Sequence, residues 1–560
     1  MREIDRLTTE RYAIPSLLLM EAAANASARA VAASPLPAGG RVLIICGRGN
    51  NGGDGAALAR ILWTMGTEVE ALLVGRVEET KGDARVNFEI VRGLAGAARV
   101  GSHPPLDFSE CANEDAWATF RARLDRCDVL IDALLGTGLT RPLEGLLQKI
   151  VADFSAARER REGTNHPLLV VSLDIPTGLD ADSAEPVGEA VRADMTVTFT
   201  APKPANVLPP ASHFNGQLVI ADIGSPAALI DETSSQLFLL EAADARAWLR
   251  RTRYAPDSYK NIHGHALVVA GSRAMSGAAV LCAGAAMRSG AGLVTVASPA
   301  SAVPAVAARV MPEVMTAELP ETEAGTAGVA AYDQIVRLAA RADVLALGPG
   351  LTTDGETRRL VREIIERRTL PVVIDADGLN ALAPWPEELR GTDELPLVLT
   401  PHAGEMRRLV GLSDETGASG GRVKEGMKDR VKAARDFATT RGVIVVLKGS
   451  RVLVAAPDGR VFVNPTGNAG LGTAGSGDTL TGIIAGFIAQ AYGALKTEAD
   501  ALEAVLAAVY VGGAAGDRAA RERGMRTMVA SDVREQIEAE IREQLGAAVR
   551  ALDPEGEQPR

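Results

Sequence analysis

Two doubly wound α/β domains are what this sequence predicts, on three observations. Short apolar runs of strand length recur along the chain, helical segments separate them, and the rhythm breaks once, between about residues 223 and 260. Runs that are apolar throughout belong to strands of a parallel sheet covered by helices on both faces. The break puts the boundary near residue 235, giving domains over 1–235 and 236–550.

The first thirty residues read as one helix. Ile4, Leu7, Tyr12, Leu17, Leu18, Met20 and the alanines from Ala22 onward make its apolar face, and Pro35 and Pro37 end it. Strands are predicted over 41–46, 70–74, 129–131, 168–173, 195–199 and 218–223, with helices over 56–65, 83–94, 116–127 and 143–155. After the break, strands are predicted over 266–270, 293–297, 344–347, 372–375, 398–400, 443–448 and 452–456, with a small-residue helix over 277–290. The charged tail 553–560 reads as frayed. No internal repeat relates the halves.

Composition narrows the function. The net charge of −12 disfavours a phosphate-backbone binder, which needs a basic face. Apolar residues at 47% and charged residues at 23% exclude wholesale disorder. The 57 glycines and only 4% aromatics suit α/β enzymes whose backbone approaches ligands closely. Cys46, Cys111, Cys127 and Cys282 form no CxxC and no zinc spacing, which points to a reducing compartment. No apolar run reaches the ~18 residues of a membrane span. Glu3, Asp5 and Glu10 precede the first apolar stretch, the wrong order for a signal peptide. A cytoplasmic protein with neither nucleic-acid nor membrane partners is expected.

The first chemical signal follows the strand ending at Cys46. Gly47, Gly49 and Gly52 satisfy GxGxxG, yet the second strand closes on Val74-Gly75-Arg76 with no acid, so a conventional dinucleotide dehydrogenase is disfavoured. More specific is Asn50-Asn51-Gly52-Gly53-Asp54. A hairpin turn would explain such a run, but a strand precedes it and a helix follows. Asp132 and Asp174 close two further strands, each before a polar loop, and the carboxyl ends of parallel strands share one crevice. Any one of these acids could cap a helix; three converging loops point to a ligand.

Residues 1 to about 225 resemble the NAD(P)H-hydrate epimerase family. The resemblance rests on Leu19-Met20-Glu21, the NNGGD run, the DALLGTG segment from Asp132, the DIPTGL segment from Asp174 and Thr200-Ala-Pro-Lys-Pro204. It implies a Rossmann-like domain that interconverts the R and S epimers of NADHX and NADPHX, cofactors hydrated at nicotinamide C6. By that likeness Asn50, Asn51, Gly52, Gly53, Asp54, Gly136, Thr137, Gly138, Leu139, Thr140, Arg141, Pro142 and Asp174 contact the substrate. A potassium ion would be held by Asn51, Asp132 and Thr177, oxygen ligands suited to a hard cation. Ala24 stands where the family usually has Gly. Inverting C6 needs proton transfers at its hydroxyl, and Asp132 and Asp174 are the strand-end carboxylates available, with Asp54 in the glycine-rich run.

The strongest signal is the glycine-rich run from Asn464 to Gly482, which contains Gly475-Ser476-Gly477-Asp478 and opens an apolar helix. Such a turn offers backbone N–H groups and a helix dipole to an anion. Asp478 on that first turn either complements the dipole or, beside a bound phosphate, takes a proton from an attacking hydroxyl. The pattern is similar to ribokinase-like small-molecule kinases.

Within that superfamily, residues 260–545 resemble the NAD(P)H-hydrate dehydratases. The segments are Lys260-Asn-Ile-His-Gly-His265, the run from Gly271 to Ala279, Gly348-Pro-Gly350, Asp375-Ala-Asp377-Gly-Leu-Asn380, Thr400-Pro-His402-Ala-Gly-Glu405 and Lys448-Gly449. The likeness implies that Ala278, Gly350, His402 and Asp478 contact hydrated cofactor. Lys448, Gly449, Ser450, Arg451, Val452 and Gly477 would hold ADP or ATP, with ADP favoured and Mg²⁺ accompanying it. His402 could instead satisfy a loop carbonyl, and Asp375 and Asp377 could be turn formers or lie near Mg²⁺ and the phosphates. Val452 replaces the usual Thr, Ala469 the usual Pro and Ala474 the usual Gly. The whole reads as a bifunctional isomerase and lyase with Asp478, Asp132 and Asp174 as catalytic candidates, assembled as a homo-oligomer. The rival reading is a vitamin kinase fused to a non-catalytic ligand-binding module.

Overall fold

Pro15 divides the first apolar stretch. The structure, a computed structural model, describes residues 1–34, 40–97, 104–164, 166–412 and 429–552. It begins with α1 (Arg2–Tyr12) and α2 (Ser16–Ala32) in place of the single helix expected. Proline has no N–H for a continuing ladder and disfavours helical backbone just before it. The chain turns at Ala13, whose φ of 54° is left-handed. Pro35, Pro37 and the tail 553–560 lie outside the described residues.

Two compact units form, Met1–Ser234 and Ser235–Arg560. The first holds β1 (Arg41–Cys46), β2 (Glu68–Val74), β3 (Leu106–Cys111), β4 (Val129–Ala133), β5 (Leu169–Leu173), β6 (Met195–Phe199) and β7 (Gln217–Ala221). All pair in parallel, in the order β3-β2-β1-β4-β5-β6-β7. Strand order reverses between β1 and β4, which opens a crevice at their carboxyl ends. Along β1, Val42, Ile44 and Cys46 enter one core, while Leu43 and Ile45 enter another that contains Trp117 and Phe154. Burial on both faces is why the strand reads as an unbroken apolar run. β3 was not expected: it lies at the sheet edge with residues 107–110 partly or wholly exposed, so no apolar run marks it. After β1, α3 (Asn50–Thr64) starts at Asn50 and not at the predicted residue 56, so the NNGGD run opens a helix.

The second unit holds β8 (Leu237–Leu239), β9 (His265–Val269), β10 (Leu293–Pro299), β11 (Met315–Leu319), β12 (Val344–Leu347), β13 (Val372–Ile374), β14 (Leu397–Leu399), β15 (Ile444–Leu447), β16 (Leu453–Ala455) and β17 (Val461–Val463). Their order is β11-β10-β9-β12-β13-β14-β15-β16-β17-β8, and only β16 runs antiparallel to its neighbours. The stretch where the sequence rhythm stops carries β8 and the helix Ala242–Arg251. β8 and β11 are the two sheet edges, and β11 leaves Met315, Thr316 and Glu318 exposed, which hid it from periodicity. The helices Ser276–Arg288 and Ser476–Gln490 pack closely through small residues, and Trp248 stacks on Phe487 at 4.4 Å. Among the described residues no helix is long and apolar enough to cross a membrane.

Candidate active sites

The first site lies at the switch point. The turn from β1 into α3 passes so close to the loop after β4 that a Cβ at Gly47 would run into the Leu134 carbonyl oxygen, and Gly47 N–H donates to Ala133 O at 2.9 Å. This packing sets α3's first turn beside the β4 loop. Between them is a cavity of about 450 Å³ lined by Asn50, Asn51, Asp54, Gly136, Thr137, Gly138 and Asp174, all residues singled out in the sequence. Gly136 separates two of them, since a Cβ there would lie 3.5 Å from Asn51 Cβ and 3.6 Å from Asp174 Oδ2. Gly52 and Gly53 are buried where the helix is packed, and Leu139, Thr140, Arg141 and Pro142 do not line the cavity.

The three carboxylates divide by environment. Asp132 is fully buried and does not line the cavity. It accepts from Ser172 Oγ (2.8 Å), Thr177 N (2.8 Å), Thr177 Oγ1 (2.7 Å) and Leu134 N (3.3 Å). Burial raises its pKa, opposed by those donors. Asp174, with a left-handed φ of 63°, pairs with the buried Lys203 ammonium, which also donates to Thr198 Oγ1 (2.9 Å) and Phe199 O (3.0 Å). Asp54 makes no ion pair among the described residues. Burial pushes it well above the usual carboxylate range, reinforced by the negative charges of Asp174 and Asp5 and opposed by Lys203. Asn51 is buried with both side-chain polar atoms unpartnered, an oxygen placed for a cation or a substrate group.

Asp5 and Lys203 are among the charged lining residues to which sequence reasoning gave no role. Lys203 sits inside the quoted TAPKP segment but had no role assigned. Asp5, on α1, carried no signal, because one acid on an amphipathic helix looks like a solvated residue.

The second site gathers at the carboxyl ends of β12 to β15. Asp375, at the end of β13, is fully buried; Lys448 Nζ donates to its Oδ1 and Thr481 Oγ1 to its Oδ2, each at 2.7 Å. Burial would raise Asp375, but the Lys448 charge and these donors leave it lowered. Glu405 Oε2 lies 3.8 Å from Lys448 Nζ. Gly477 adjoins both partners, since a Cβ there would lie 3.2 Å from Lys448 Nζ and 3.5 Å from Asp375 Oδ2. Asp478 follows on the same turn and is pushed up to about 6, by burial first and then by Asp375 and Asp377, with Lys448 opposing. Gly350, at φ 66°, leaves room for a Cβ only 3.0 Å from Ala278 Cβ, so those two predicted residues meet. Asp377 accepts from Thr352 N at 2.9 Å. His402 caps the helix Ala403–Leu409: its Nδ1 accepts from Gly404 N (2.9 Å) and Glu405 N (3.2 Å), and the Nε2 of its exposed ring lies 3.6 Å from Glu405 Oε1. Val452 is half-buried against the core, and its carbonyl accepts from Asn464 N at 2.9 Å.

Residues 16–205 match the family described as YjeF-related protein N-terminus, and residues 266–539 the family described as NAD(P)H-hydrate dehydratase. The bifunctional NAD(P)H-hydrate repair enzyme Nnr of Moorella thermoacetica is 40% identical over 538 residues, 95% of this chain and 94% of that protein. The chain belongs to the bifunctional NAD(P)H-hydrate repair enzyme family. Relatives of the same name from Thermofilum pendens and Escherichia coli are 38% and 31% identical, covering 93% and 91% of this chain and 91% and 87% of their own. The solved ADP/ATP-dependent NAD(P)H-hydrate dehydratase from Bacillus subtilis, co-crystallized with ATP/Mg²⁺, aligns with 55% of this chain and 98% of its own at 29% identity and a TM-score of 0.45. The resemblance read from NNGGD and GSGD is thus family membership along nearly the whole chain.

Proposed function

We propose that this repair enzyme performs two successive reactions. The unit Met1–Ser234 interconverts R- and S-NAD(P)HX at nicotinamide C6. The unit Ser235–Arg560 dehydrates the S epimer to NAD(P)H, consuming a magnesium nucleotide, ADP in preference to ATP, and releasing phosphate with AMP or ADP. The observation that carries the reading is one chain holding both a carboxyl-lined cavity at a switch point and Asp478 on a glycine-rich helix start beside Lys448. Family membership over the full length supports it and leaves the vitamin-kinase rival without an observation in its favour.

In the first unit, Asp54 is the proton donor to the C6 hydroxyl, because its surroundings favour the protonated form. Asp174, its charge compensated by Lys203, is the acceptor. Asp132 holds the β4 and β5 loops through Ser172 and Thr177 and touches no substrate. Of the three expected potassium ligands, the buried Asn51 oxygen is the one without a partner, a hard donor that suits the ion, while the Asp132 and Thr177 oxygens are engaged with each other. A bound ion there supplies fixed positive charge beside the cavity.

In the second unit, Asp478 takes the proton of the C6 hydroxyl as its oxygen bonds to the terminal phosphorus. The bond from that phosphorus to the remaining nucleotide breaks, and N–H groups of the Gly475–Gly477 turn receive the phosphoryl oxygens. Phosphate then leaves C6 and a proton leaves C5, restoring the ring double bond. Lys448 neutralises charge at the donor, and His402 and Gly350 line the hydrated ring. The net charge of −12 supports a small-molecule enzyme without nucleic-acid partners, and the four isolated cysteines suit the reducing cytoplasm; a homo-oligomer is expected, checked by light scattering. The deciding experiment follows NADH absorbance from mixed NADHX epimers with Mg²⁺ and either ADP or ATP. Complete conversion is expected, and no conversion with either nucleotide would overturn the reading.

A further inference from the structure

Arg430 opens the helix Arg430–Arg441, where a cation opposes the helix dipole. Among the described residues it has no acidic partner in ion-pair distance. Its guanidinium instead donates to two successive carbonyls, Ser450 O at 2.8 Å and Arg451 O at 3.4 Å. Both carbonyls belong to the loop 448–452 that joins antiparallel β15 and β16. The loop is built to receive the guanidinium. Gly449 has a φ of 150° and a Cβ there would lie 2.8 Å from Arg430 Nη2, while Arg451 is left-handed at φ 55° and its own guanidinium donates to Pro465 O. A trans peptide points its N–H opposite its carbonyl. Turning the carbonyls of Ser450 and Arg451 toward Arg430 therefore turns the N–H groups of Arg451 and Val452 away from it, and neither donates to a described protein atom.

We infer that Arg430 is a positioning residue of the nucleotide site, whose two-pronged guanidinium sets the loop 448–452 so that its free N–H groups face the nucleotide. This rests on the reading of that loop as the nucleotide's. Val452 has no side-chain hydroxyl to offer, which leaves the orientation of the backbone as the loop's own means of polar recognition beside Lys448 and Ser450. A planar fork spanning two carbonyls is what Arg provides and Lys does not.

The test compares Arg430→Lys, Arg430→Gln and Arg430→Ala in the full chain, with Mg²⁺ and ADP, then ATP, on S-NADHX. Losing hydrogen bonds from a charged donor predicts a nucleotide KM raised about tenfold or more, with kcat and the KM for S-NADHX little changed. The Lys variant is expected to behave like Gln, since it keeps the charge and loses the fork. Epimerisation should match wild type. Unchanged nucleotide KM in the Gln variant, or a wild-type KM restored by Lys, overturns the inference. Should the Ala variant fail to fold, the Lys and Gln variants decide. A wild-type chain inactive with both nucleotides would instead sink the reading of the second site, and this inference with it.

Discussion

Burial and the Asp375 carboxylate push Asp478 up to about 6, so this base is largely ionised at neutral pH yet close enough to it to accept a proton in the transition state. Asp478→Asn keeps the shape and loses the basicity, and dehydration should fall about 10²- to 10⁴-fold with epimerisation intact. In the wild type, dehydration should decline as pH falls through about 6. Stability runs the other way. A carboxyl whose folded pKa is raised costs stability once ionised, and the cost is relieved as pH falls through about 6. At pH 7 the Asn variant should therefore melt above wild type, with the gap closing under acid; calorimetry across that range checks it. In the first unit the same logic separates three aspartates. Asp54→Asn should slow epimerisation about 10²- to 10⁴-fold at nearly unchanged stability. Asp132→Ala should lower stability by about 2–4 kcal/mol, because Ser172, Thr177 and Leu134 are left with buried unpaired donors. An Asp132→Ala chain that melts like wild type while losing activity would make Asp132 the catalytic group after all. Epimerisation measured in potassium and in a bulky organic cation tests the Asn51 oxygen, and equal rates would remove the ion from the proposal.

Elements respond to what they must approach. The helix Ser476–Gln490 carries its active turn because its glycines let it lie against the helix Ser276–Arg288, and a Cβ at Gly482 would strike the Cys282 carbonyl oxygen. Gly482→Ala should cost about 1–3 kcal/mol by overpacking and displace Asp478, lowering dehydration while epimerisation persists. Activity retained at wild-type level would show that the helix has room to shift. The central strands were legible because both faces are buried, as β1 shows with Val42 and Leu43 entering different cores. β3, β8 and β11 were not, because edge strands need no continuous apolar run, and the interior β17, only three residues long, was missed as well. The break at Pro15 was written in the sequence and outweighed by the apolar periodicity around it.

For the molecule as a whole, stereochemistry joins the two reactions. With Asp478 and the donor phosphate acting as proposed, only one epimer presents its C6 hydroxyl to both, so the second unit by itself should consume only the S fraction of a mixture. With nucleotide and Mg²⁺, wild type should convert both epimers completely to NADH. Asp174→Asn, which leaves Lys203 a neutral acceptor, should stop early at a plateau equal to the S fraction. Early time courses decide, before spontaneous epimerisation lifts the plateau. If the variant consumes both epimers at the wild-type rate, the first unit is not the epimerase.

Contiguous residues recorded the family and the chemistry. The NNGGD and GSGD runs each combine glycines that permit close approach with an acid near the start of a helix, and that combination survives any view of the rest of the chain. The order of two α/β units was equally local, because strands buried on both faces announce themselves. Tertiary structure decided the surroundings of each acid. Asp132, Asp174 and Asp54 look alike along the chain. Their environments separate only when four donors enclose the first, Lys203 meets the second, and burial, with the charges of Asp174 and Asp5, raises the pKa of the third. Lys203, quoted only as part of TAPKP, and Arg430 had no role along the chain for the same reason: a single charged residue reads as solvated until the fold removes its water and supplies its partners. Asp5 stays exposed and is found only because it lines the cavity.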